Sequence, residues 1–67
     1  MTRAEMINKL ESGKKMKHEF FSDHEYIVKD DYGIVRDEEE HNFTEGMQIR
    51  KGGNWETGWS EFQEDEK

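Results

Sequence analysis

The residues of this 67-residue chain that could do chemistry are three histidines, His18, His24 and His41, and a large set of side-chain carboxylates. A zinc site needs histidines paired at i, i+4 on a helix, or cysteine partners, and this chain offers neither pattern and no cysteine. The spacing therefore predicts no metal: a strand histidine at 18 and loop histidines at 24 and 41. A calcium loop fails as well, because setting its obligatory glycine at Gly33 puts Val28 at the first ligand position and Tyr32 at the fifth. Acid–base chemistry requires carboxyl groups in unlike surroundings, whereas Asp37-Glu38-Glu39-Glu40 is one hydrophilic run. Ser12-Gly13-Lys14 has the look of the end of a phosphate loop, but the upstream glycine would fall at Asn8, and helix precedes strand. It reads as a helix stop. With no nucleophile constellation either, the expectation is a protein that is not an enzyme and carries no cofactor.

Two groups of charge remain. The first is an acidic arc, Asp30, Asp31, Asp37, Glu38, Glu39, Glu40 and Glu45. It suits a basic surface on another protein, or else simply keeps the chain in solution. The second is the basic trio Lys14, Lys15 and Lys17, able to hold a phosphate-bearing ligand by charge-assisted hydrogen bonds, or again merely solubilising. The chain is divided accordingly. Residues 1–18 carry five basic side chains against two carboxylates, net +3; from Glu19 onward fifteen carboxylates face five basic groups, net −10. That balance argues against duplex DNA, whose binding depends on neutralising phosphates with Lys and Arg.

The elements that must position these groups follow from periodicity. Thr2 and Glu5 make a capping box, and Ala4, Met6, Ile7 and Leu10 recur at helical spacing, predicting a helix from about Arg3 to Ser12 that stops at Gly13. Alternation through Lys14 to Phe21, with Met16, His18 and Phe20 inward, predicts a first strand. Glu25 to Lys29 reads as a second and Ile34 to Arg36 as a third, joined by turns at Ser22-Asp23-His24 and Asp30-Asp31-Tyr32-Gly33. Asp37 to Asn42 reads as an exposed loop, and Phe43, Met47 and Ile49 as a helical turn followed by a strand, capped by Asn42 or Thr44. After the turn Lys51-Gly52-Gly53-Asn54, Trp55, Trp59 and Phe62 return to the core on one or two short strands. The fold class expected is α+β: a short N-terminal helix packed on a small antiparallel sheet of about four strands. One domain over residues 1–63 with a solvated acidic tail at 64–67 accounts for the whole sequence.

With 30% hydrophobic and 40% charged residues the chain approaches disordered composition, but four Phe, two Tyr and two Trp supply the mass for a core. A core this small yields roughly 3 to 5 kcal/mol, so a homo-oligomer is expected as a way to hide more apolar surface. No run of about 18 apolar residues and no basic-then-apolar leader occurs, which predicts no membrane segment and a cytoplasmic location.

The opening Met6-Ile7-Asn8-Lys9-Leu10-Glu11-Ser12-Gly13-Lys14-Lys15-Met16-Lys17-His18, then Phe20-Phe21 and Glu25-Tyr26-Ile27, resembles small phage-encoded proteins with a helix ending in Leu-x-x-Gly-Lys and a basic strand. Asn54-Trp55-Glu56 and Gly58-Trp59-Ser60 resemble the closing segment of the same group. One branch comprises anti-defence proteins that sequester the cyclic nucleotide signal of the Thoeris system between subunits. This chain departs from it in its acidity and in having Phe20-Phe21 where a basic residue and Trp would stand. The resemblance implies a phage accessory protein acting in the host cytoplasm. The leading expectation is inhibition or redirection of a host protein with a basic surface, through the acidic arc. The alternatives are a sponge for an anionic nucleotide at Lys14, Lys15 and Lys17, and a structural or regulatory phage component.

Overall fold

The structure is a computed structural model that describes residues 1–63; the acidic tail expected at 64–67 lies outside the described residues. Helix α1 (Arg3–Glu11) leads into strand β1 (Met16–His18), then β2 (Ile27–Lys29), β3 (Val35–Asp37), helix α2 (Thr44–Ile49), a single 3-10 turn (Gly53–Trp55) and β4 (Trp59–Glu61). The four strands form one antiparallel sheet in the order β3-β2-β1-β4. This is the α+β fold expected, with α2 as a further helix.

Local chemistry explains where α1 begins. The Thr2 hydroxyl accepts from the Glu5 N–H at 3.2 Å, and the Glu5 carboxylate accepts from the Thr2 N–H at 2.9 Å, so two donors of the first turn are satisfied reciprocally. The Thr2 N–H is the main reason the Glu5 carboxyl lies below its ordinary pKa. The helix buries Met6 and Leu10 against Met16, Ile27, Met47 and Trp59. Each such side chain contributes about 1.5 to 3 kcal/mol on burial.

Register then decides which side chains share a face. Met16 pairs with Ile27 and Glu61, His18 with Trp59, and Ile27 with Asp37; these lie on the helix side, where Lys29 also pairs with Glu11 and Glu61 with Lys9 across to α1. Lys17, Val28, Arg36 and Ser60 occupy the opposite face. Both sheet edges are occupied: the Phe43 N–H donates to Val35 O outside β3, and the Met1 amino group donates to Trp59 O outside β4. Among the described residues no helix is long and apolar enough to cross a membrane.

Several expectations need correction. Strand β1 is shorter than predicted, because the Phe21 N–H turns back to the His18 carbonyl and ends the pairing; Phe20 consequently faces solvent, 57% exposed, where alternation placed it inside. Asp37 is a strand residue and half-buried, not part of an exposed loop. Ile49 closes α2 and is exposed, and the chain runs on into the 3-10 turn where a strand was expected. Phe62 lies beyond β4 and stacks on Tyr26 at 4.7 Å, outside the core cluster that Trp59 joins. The N-cap residue of helix α2 is Phe43, which has no side-chain bond, but the expected Asn42 does serve the helix start, its Oδ1 accepting from the Thr44 N–H at 2.9 Å; the other end is held by the Arg3 guanidinium, which donates to the carbonyls of Met47 and Arg50, each at 3.0 Å. A cation on the last carbonyls is where the helix dipole favours it.

Candidate functional site

The histidines separate into different roles. His18 is 1% exposed; its Nδ1 accepts from the Phe20 N–H at 3.1 Å, which leaves the proton on Nε2 to donate to Thr57 O at 2.8 Å and towards Asn54 O at 3.1 Å. The ring is packed against Phe20, Trp55 and Trp59 at centroid distances of 4.9, 4.2 and 4.7 Å. It is a fastener between β1 and the loop before β4. Gly58, at φ +89°, makes the fit possible, since a Cβ there would stand 3.0 Å from His18 Nε2. No group of three or more His, Asp or Glu among the described residues gathers as a metal site.

The acidic arc divides into carboxylates that build loops and carboxylates that project from them. Asp30 Oδ1 accepts from the N–H groups of Tyr32 and Ile34, each at 2.9 Å, and Oδ2 pairs with Arg36 Nε at 3.0 Å. The Ile34 N–H, with Arg36 and Tyr32, holds its carboxyl below the usual range. Asp37 Oδ1 accepts from Glu39 and His41 N–H in the same manner, each at 2.9 Å. Burial pushes the Asp37 carboxyl up, but those two N–H groups and the His41 ring outweigh it and bring the pKa below its ordinary value. Both aspartates thus fix turns. Asp31, Glu38, Glu40 and Glu45 make no ion pair among the described residues, and Glu39 approaches only His41, at 3.7 Å. Glu45 stands apart from the two turns, in the first turn of α2. Glu40 adopts φ +67°, the left-handed region that glycine occupies more cheaply.

The basic trio is not one site. Lys14 is exposed in the connection after α1, Lys17 lies mid-strand on the uncovered face, and Lys15 stands over the Tyr26 ring at 4.7 Å. Lys15 lines an open depression of about 630 Å³ with Tyr26, Val28 and Arg36, but Asp30, Asp37 and Glu40 line it too. Arg36 is already engaged by Asp30 and the Glu40 carbonyl.

A second, smaller cavity of about 100 Å³ lies where the turn after β1, the end of β3 and α2 meet. Phe20, Phe21, Phe43 and Trp55 wall it, Arg50 lines it, and Glu25, Asp37 and Glu38 contribute carboxylates. Sequence reasoning missed Phe20, Glu25, Phe43 and Arg50 as a group. The available signal was the Phe20-Phe21 pair, more apolar mass than a three-residue strand needs in so charged a chain. Comparison with known proteins adds no relative: no family model, no curated protein and no solved structure matches this chain.

Proposed function

We propose that this is a binding protein without catalytic activity, of the phage accessory type its opening resembles, which inhibits or redirects a host protein by docking its acidic edge on a basic surface. The observation that carries this reading is Glu40. A non-glycine residue at φ +67° costs roughly 1 kcal/mol, yet the loop keeps a carboxylate there, between Glu39 and a turn fixed by Asp37. The turns anchored by Asp30 and Asp37 hold Asp31, Glu38, Glu39 and Glu40 in a fixed array, so little conformational freedom is lost when a partner binds.

The test is capture from a bacterial lysate with wild type and a variant carrying Asp31→Asn, Glu38→Gln, Glu39→Gln and Glu40→Gln, leaving Asp30 and Asp37 intact. A partner that wild type retains at low salt and loses at high salt, and that the variant does not retain, supports the reading. Equal retention by both proteins returns the acidic edge to a solubilising role.

The second reading, an anionic-nucleotide sponge, draws on Lys15 and Arg36 beside a depression within the roughly 300 to 1,000 Å³ range of small-molecule sites. It is the weaker one. The three carboxylates on that depression oppose an anion, and neither Lys14 nor Lys17 lines it. A rise in melting temperature with a mono-, di- or cyclic nucleotide, abolished by Lys15→Gln, would reverse the order.

A further inference from the structure

We infer that α2 is a cover that opens on its own, hinged at Phe43 and at Gly52-Gly53 and latched shut by Arg3, while α1 and the sheet stay folded. The inference stands apart from the docking reading above and needs no partner. Length comes first. The six residues of α2 fall well short of the roughly 12 to 15 at which a helix begins to hold itself, and Gly46 in its middle is of the type that favours helix least after proline. Whatever keeps α2 in place must come from outside it.

The helix itself offers little grip. Met47 is its one buried residue and its one member of the core cluster, Ile49 is 74% exposed, and among the described residues no ion pair reaches α2. The flanks are fixed instead. On the entry side the Phe43 N–H donates to Val35 O at 2.7 Å, which ties the residue before α2 to the sheet. On the exit side the Gly52 N–H donates to the Glu56 carboxylate at 2.7 Å and Gly52 O accepts from the Trp55 N–H at 2.9 Å. Gly52 and Gly53, at φ +76° and +52°, take backbone angles that other residues adopt only with strain, which gives the exit a hinge. The latch is Arg3, reaching across from α1 to the carbonyls of Met47 and Arg50.

The closed form also carries a cost that opening relieves. Arg50, the residue after α2, lays its guanidinium carbon 5.0 Å from the Phe43 centroid and 5.5 Å from that of Trp55, and its Nη1 donates to Gly46 O at 3.1 Å. Its Nε, however, is buried and has no hydrogen-bond partner. A donor sealed without an acceptor is disfavoured, and once α2 lifts away from Trp55 water reaches it. That gain offsets part of what is lost with the Met47 and Arg3 contacts, so α2 opens at a lower free energy than the sheet unfolds. In the open form Met47 leaves the cluster of Met6, Leu10, Met16, Ile27 and Trp59, and a patch of core is uncovered beside Glu38, which lines the same cavity as Arg50.

The test is hydrogen exchange on the full wild-type chain, followed residue by residue by NMR without urea and with urea below the unfolding midpoint. The Met47 and Arg50 amides, bonded to Phe43 O and Met47 O, should be protected yet exchange about tenfold or more faster than the β1–β4 ladder. Urea should barely change their rates, because the opening exposes little surface, while the ladder speeds up with urea as global unfolding requires. Exchange of both sets with one protection and one urea slope overturns the cover, since α2 then opens only when the whole chain unfolds. An Arg50 Nε–H that exchanges freely while the Met47 amide is protected equally overturns it, because water then reaches the donor without any opening. Arg3→Met keeps the aliphatic stem and removes both donors, and should speed Met47 and Arg50 exchange by about tenfold or more. A change of less than about twofold overturns Arg3 as the latch. The wild-type rates decide the cover even if that variant does not fold.

Discussion

His18→Leu offers the sharpest test of how the fold is fastened. The substitution keeps an apolar side chain in the same packed position, so burial changes little, but it removes both ring nitrogens. Nδ1 no longer accepts from the Phe20 N–H, and Nε2 no longer donates to the Thr57 carbonyl. Leaving a buried donor or acceptor unpaired costs about 1 to 3 kcal/mol each. Phe20 is exposed enough for its N–H to recover a water, which sets the total near the lower half of that range doubled, about 2 to 4 kcal/mol. A domain of this size has roughly 3 to 5 kcal/mol in all. In urea, where small domains lose about 1 kcal/mol per molar, the midpoint should fall by about 2 to 4 M, and at the upper end the chain is unfolded without denaturant. His18→Gln, which retains a donor and an acceptor, should lose less. A His18→Leu midpoint within about 0.5 M of wild type would refute the argument that the His18 ring fixes the turn after β1 through Nδ1 and the loop before β4 through Nε2.

Three further outcomes follow from the same geometry. Trp59→Ala removes a fully buried ring and the indole bond to Trp55 O at 2.7 Å, and should cost about 3 to 5 kcal/mol, read as loss of the cooperative thermal transition. The folded-state pKa of Asp30 is depressed, so its contribution is complete above the ordinary carboxylate value near 3.9 and is lost as pH falls through the lower folded value. Asp30→Asn should flatten stability against pH below about pH 4, measured by urea midpoints at each pH; an unchanged acid limb would contradict the assignment. Glu40→Gly should raise stability by up to about 1 kcal/mol by relieving the left-handed backbone while weakening partner capture, and a variant that is less stable would show the conformation to be relaxed.

Where physical signals were local, the sequence carried them legibly. The Thr2 and Glu5 capping box, the helical spacing of Met6 and Leu10, and the inward alternation of Met16 and His18 each depend on neighbours a few residues apart. Phe20 and Phe62 were misplaced because their fates depend on where pairing stops: the turn from Phe21 to His18 frees one, and the register of β4 sends the other to the uncovered face. The acidic arc was visible as a set of residues but not as a division of labour. Composition cannot distinguish a carboxylate that accepts two backbone N–H groups from one that projects into solvent. The cavity around Arg50 was invisible for a similar reason, since its walls come from residues 20 to 55 and meet only through the sheet.

Asp37 and Glu38 make that division concrete. They are consecutive and identically charged, yet Asp37 faces the helix side of the sheet in register with Ile27 and spends its carboxylate on the turn, while Glu38, one residue on, has no ion pair among the described residues. The difference arises where β3 ends: Asp37 is its last residue and folds its carboxylate back onto the turn N–H groups, while Glu38 is already in that turn and its carboxylate takes none of them. The run of four carboxylates therefore does not act as a uniform charge. Its first member builds the turn and the next three are displayed by it, with Glu38 held against the Arg50 cavity and Glu40 held outward by a left-handed backbone. Neutralising Asp37 would confound any binding measurement with loss of the loop. Neutralising Glu38 and Glu40 separately divides the surface cleanly: the first reads the part of the edge beside the Arg50 cavity, the second reads the open part, and neither removes a side-chain bond on which the fold depends.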